Sequence, residues 1–104
     1  MTFDLAQAVL SSLDKRMPPG FLLGLKLKGR SAETCSEARS TLNRVIGVKR
    51  ALDLANGSGN VRAYSLKNGN SNVVVKLPSI RFKQQLLNFP TPLAKYLVDY
   101  YRGI

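Results

Sequence analysis

The chain contains no histidine, one cysteine and only six carboxylates in 104 residues. Without histidine it lacks the commonest general base, the commonest zinc ligand and every serine–histidine or cysteine–histidine nucleophile pair. Cys35 has no second cysteine with which to close a disulfide, which fits a reducing compartment. A long apolar run is missing too. The longest, Phe21 to Leu25, falls far short of the roughly 20 residues that a membrane helix needs. No segment joins a charged start to an apolar stretch and a small-residue cleavage site, so the expected location is cytoplasmic, without a secretory signal.

The scarcity of acid leaves a large excess of the opposite sign. Sixteen Lys and Arg give a formal charge of +10, above the magnitude of about 2 to 8 that solubility asks of a small domain. A polyanion is the natural partner of such a surface. The asymmetry is regional: no carboxylate lies between Leu54 and Val98, where Arg62, Lys67, Lys76, Arg81, Lys83 and Lys95 are found. The length and an apolar content of 44% suit one folded domain over residues 1–104.

Periodicity predicts the element order helix, strand, helix, strand, strand, helix, helix. Phe3, Ala6, Val9, Leu10, Leu13 and Met17 share one side of a helical wheel over 3–16, with Thr2 placed to cap. Pro18-Pro19-Gly20 reads as its stop. Residues 21–28 read as a strand, since Leu25 and Leu27 alternate with Lys26 and Lys28, and Gly29 ends it. From Ala32 to about Ala55 the period is helical again, with Ser31 or Thr34 as cap. Its apolar stripe is Cys35, Ala38, Leu42, Val45, Ile46 and Leu52, beside a polar stripe of Arg39, Asn43 and Arg50.

Asn56 to Asn60 reads as a turn, which also accounts for the glycosylation-like triplet Asn56-Gly57-Ser58. Val61–Lys67 and Asn72–Leu77 read as hairpin strands joined by Asn68-Gly69-Asn70-Ser71. A short helix from Ser79 to about Leu87 and a last helix from Thr91-Pro92 to about Arg102 complete the chain. The expected class is therefore α+β, a small antiparallel three-stranded sheet covered by helices.

Catalytic candidates are few. Glu33 and Glu37, one helical turn apart, are the pair that could share a magnesium ion, yet first-turn glutamates complement a helix dipole without any metal. Cys35 sits at the edge of an apolar stripe and reads as a packed small hydrophobe. Lys49 falls in the same stripe, where lysines usually snorkel to water. Gly57-Ser58-Gly59 follows a helix and precedes a strand, the reverse of a phosphate-cradling loop, and has no following Lys-Ser or Lys-Thr. The expectation is a non-enzymatic chain with no metal site and no cofactor.

The residues that remain point to nucleic-acid binding, DNA or RNA, through the phosphate backbone. Lys26, Lys28, Arg30, Arg39, Arg50, Arg62 and Lys76 are the candidate phosphate contacts, with Tyr64 as a base-stacking ring in the hairpin. Arg81 and Lys83, near Phe82 and Phe89, are placed to extend the patch. The alternative is a small protein-interaction module, an inhibitor or adaptor, whose basic face meets an acidic protein. Tyr96, Tyr100 and Tyr101 of the last helix would then form its partner or dimer surface.

Overall fold

The computed structural model describes residues 3–13, 16–58, 62–68, 71–77, 84 and 86–102. Within these, 55–58, 62–68, 71–77 and 101–102 are described as backbone. The elements are α1 (Leu5–Ser11), α2 (Pro19–Lys26), α3 (Ala32–Ser58), β1 (Arg62–Asn68), β2 (Ser71–Leu77) and α4 (Thr91–Arg102). The chain divides into two compact units, residues 1–45 and 46–104, and the division falls inside α3.

In the first unit α1 starts at Asp4, whose Oδ1 accepts a 3.1 Å hydrogen bond from the Gln7 amide. Asp4 thus takes the capping role expected of Thr2. The helix ends at Ser12, whose buried hydroxyl turns back onto the Val9 carbonyl at 2.7 Å, earlier than the expected end near residue 16. Met17, expected on the apolar side of that helix, is exposed beyond it.

The strand expected over 21–28 is a helix. Pro19 stands at its first position, where the fixed φ of proline suits a helix and its missing N–H is not needed. Residues 21–28 also contain no β-branched side chain, so nothing in the run favours a pleated conformation over the helix that leucine prefers. The consequence for packing is specific. Leu23 and Leu27, one turn apart, are buried, while Phe21 and Leu25 are 55% and 58% exposed. A strand would have put Leu25 and Leu27 on the same face.

α3 begins at the cap Ser31, whose Oγ accepts from the Thr34 amide at 3.2 Å. It runs for about 40 Å through the Asn56-Gly57-Ser58 triplet that was expected to turn. Its buried positions in the first unit are Ala38, Thr41, Leu42 and Val45, and in the second Val48 and Leu52. Cys35 and Ile46, expected in the stripe, are only partly covered.

The second unit adds α4, with Leu93, Leu97 and Val98 buried, and Leu86 and Phe89 buried just before it. The amide of Asn88 reaches the Gln84 carbonyl there, closing a helical turn. β1 pairs antiparallel with β2 from Arg62↔Leu77 to Asn68↔Ser71, a two-stranded ribbon in the backbone. Val61 and the residues from Pro78 to Lys83, expected to continue a strand and open a helix, lie outside the described residues.

The α+β class with a three-stranded sheet is therefore corrected. Where side chains are described the structure is all-helical, 77% helix with no strand, and the segment assigned to the first strand is α2. No helix among the described residues is long and apolar enough to cross a membrane.

Candidate functional site

The turn from α2 to α3 gathers the first three cation candidates, all in the first unit. Backbone bonds fix it: Leu27 N to Leu23 O at 3.0 Å, and Arg30 N to Leu27 O at 2.9 Å. Gly29 takes φ +81°, a left-handed conformation that a Cβ would strain. The partly covered Cys35 thiol faces the carbonyls of Leu27 and Arg30 at 3.7 and 3.9 Å, so its polar contacts are to the turn itself.

Lys26, Lys28 and Arg30 are exposed on this turn. The Arg30 guanidinium lies over the Phe3 ring, 5.2 Å from its centroid, which spreads a flat cationic surface beside α1. An open cleft of about 380 Å³ is lined there by Phe3, Asp4, Gln7, Ser11, Lys26 and Arg30. The sequence pattern places Phe3 in the core. The structure leaves it half-buried under Arg30, and its position just before the Asp4 cap is the signal that it lies outside the packed helix.

Arg39 and Asn43 are exposed on α3, on the stripe beside the buried Ala38, Leu42 and Val45. Lys26, Lys28, Arg30, Arg39 and, in the second unit, the exposed Arg50 form no ion pair with any described carboxylate, whereas Lys95 pairs with Asp99 at 3.0 Å. Glu33 and Glu37 are both exposed, and no group of three His, Cys, Asp or Glu able to hold a metal occurs among the described residues. In the ribbon Tyr64 pairs with Val75 and Lys76 with Ala63, while the side chains of Arg62, Tyr64 and Lys76 lie outside the described residues, as do Arg81, Phe82 and Lys83.

The second unit has its own polar cluster, which the sequence pattern divided between a snorkelling lysine and a partner surface. The Lys49 ammonium sits 4.9 Å from the Tyr100 ring centroid and 5.8 Å from that of Tyr96. Tyr100 Oη donates to Asp53 Oδ1 at 2.6 Å. That hydrogen bond, then burial and the Asp53 charge, push the Tyr100 phenol up to about 12. Tyr96 and Tyr100 are thus engaged with α3 inside the chain, and the Tyr101 side chain lies outside the described residues. The missed signal is the pairing of one lysine and one aspartate a turn apart, Lys49 and Asp53, with tyrosines a turn apart, Tyr96 and Tyr100.

No known protein family, no curated protein and no solved structure matches the chain.

Proposed function

We propose that the chain binds nucleic acid through its backbone phosphates and acts by binding rather than catalysis. The observation that carries this reading is the α2–α3 turn, where Lys26, Lys28 and Arg30 stand exposed within one backbone-fixed segment and form no ion pair with a described carboxylate. Arg39 adds a cation on α3, and the excess of +10 over the whole chain supplies the long-range attraction. Each phosphate neutralised releases condensed counterions, so affinity of this origin falls steeply with salt.

Titration of labelled single- and double-stranded DNA and RNA at several salt concentrations tests the proposal. Four phosphate contacts on duplex DNA give a log–log slope of about −3.6. Weak binding near 10⁻⁴ to 10⁻⁶ M for all ligands, with no preference, marks the level expected of incidental charge.

One observation favours a second reading, an adaptor for an acidic protein. Met17, Phe21 and Leu25 are exposed apolar side chains in the segment that also carries the exposed Lys26 and Lys28, the mixture of apolar and cationic groups that an acidic partner would cover. Tight binding to a single acidic protein that Phe21→Ser and Leu25→Ser abolish, with no salt-steep binding of nucleic acid, would replace the first reading by this one.

A further inference from the structure

Resting on the nucleic-acid reading, we infer that α2, its turn and the first half of α3 dock on duplex DNA, with the exposed face of α3 against the floor of the major groove. Two helices joined by a short glycine-containing turn are the connectivity shared by supersecondary units that present their second helix to a groove. Here α2 ends at Lys26, residues 27–31 make the turn around the left-handed Gly29, and α3 starts at Ala32.

The side chains on the free side of α3 are of the right kind and size. Ser36, Arg39, Ser40 and Asn43 are all exposed and share one helix face, while Ala38, Thr41, Leu42 and Val45 are buried behind them. Serine hydroxyls, an arginine fork and an asparagine amide are the groups that hydrogen-bond base edges, arginine to guanine and asparagine to adenine in bidentate fashion. Residues 36 to 43 rise about 10 Å along the helix, roughly three base steps. An α-helix with side chains is about 10 to 12 Å across, and the major groove of B-form DNA is about 12 Å wide. Small residues at 36 and 40 let the helix axis approach the bases.

Charge and ring chemistry select the nucleic acid. Lys26, Lys28 and Arg30 precede α3 and meet phosphates at the groove edge. Glu33 and Glu37, exposed along one border of the same helix face, disfavour loose contact with phosphates and accept from cytosine amino groups. Single strands are held by stacking on free aromatic faces. In this unit Phe3 is already covered by Arg30, which leaves Phe21 as the exposed ring among the described residues. The major groove of A-form RNA is too deep and narrow for side chains to read.

The experiment uses the full chain and a pool of fluorescently labelled duplex DNA randomised over 12 positions, enriched by repeated binding and compared with duplex RNA and single-stranded DNA. The inference expects enriched duplexes to share a short motif and to bind at least about tenfold better than the starting pool. Asn43→Ala, at an exposed neutral position, should lose about tenfold on the enriched duplex and change binding to the unselected pool far less, while Arg39→Ala, which also removes a charge, should lose about tenfold more on the enriched duplex than on the pool. Helical circular dichroism, unchanged in both variants, separates this loss from unfolding. Salt-steep binding with no shared motif, or with both variants equal to the parent on the enriched duplex, overturns the groove assignment and leaves the phosphate reading standing. Absence of salt-steep binding to every probe overturns both.

Discussion

Tyr100 Oη donates a 2.6 Å hydrogen bond to the Asp53 carboxylate, joining the last helix to the second half of α3 across 47 positions of sequence. The ring that carries this hydroxyl also faces the Lys49 ammonium at 4.9 Å. One tyrosine therefore ties an anion and a cation one turn apart on α3, and the contact is part of the structure of the second unit.

That relationship has a titration signature. The phenol of Tyr100 is raised from 10.0 to about 12, so its contribution to stability is complete below pH 10 and is lost as pH rises through 12. Absorbance of tyrosinate should show a phenol that titrates late. Tyr100→Phe should remove that late step, and Asp53→Asn should move it down toward the ordinary tyrosine range. A late step that survives Tyr100→Phe would assign it elsewhere.

Leu25 and Leu27 distinguish a helix from a strand over the basic turn. Leu27→Ala removes a buried side chain and should cost about 2 to 5 kcal/mol in urea unfolding. Leu25→Ser changes a 58% exposed position and should stay within about 0.5 kcal/mol of the parent. Equal large losses at both sites would restore the strand, where the two leucines share one face.

The glycines give a second contrast. Gly29→Ala forces a Cβ into φ +81° and should destabilise by roughly 1 to 2 kcal/mol although the space around it is open. Gly47→Ala lies within α3, where a Cβ meets nothing within 4 Å, and should stabilise by about 0.5 to 1 kcal/mol. Denaturant midpoints of the two variants, moving in opposite directions, check both.

The long helix was legible because its signals agree: Ser31 caps, Glu33 complements the first turn, and Ala38, Leu42, Val45 and Leu52 recur at helical spacing and are buried. The exposed face with Arg39, Asn43 and Arg50 follows from the same spacing. α2 was not legible, because four residues of alternation at Leu25 to Lys28 satisfy a strand and one turn of an amphipathic helix equally. The exposure of Leu25 between the buried Leu23 and Leu27 decides between them, and that is a tertiary fact. Treating Pro18-Pro19 as a stop also concealed that Pro19 opens the next helix. The tyrosines of α4 read as a partner surface because the residues they meet, Lys49 and Asp53, are remote in sequence.

The nucleic-acid binding proposed for the chain rests on phosphate contact by the α2–α3 turn. Its most direct test is the salt dependence of binding to a mixed-sequence DNA duplex by the parent chain and by Lys26→Ala/Lys28→Ala/Arg30→Ala. Losing three phosphate contacts should make the log–log slope shallower by about 2.7 and weaken binding at low salt. An unchanged slope in a variant that keeps its helical circular dichroism would contradict the claim.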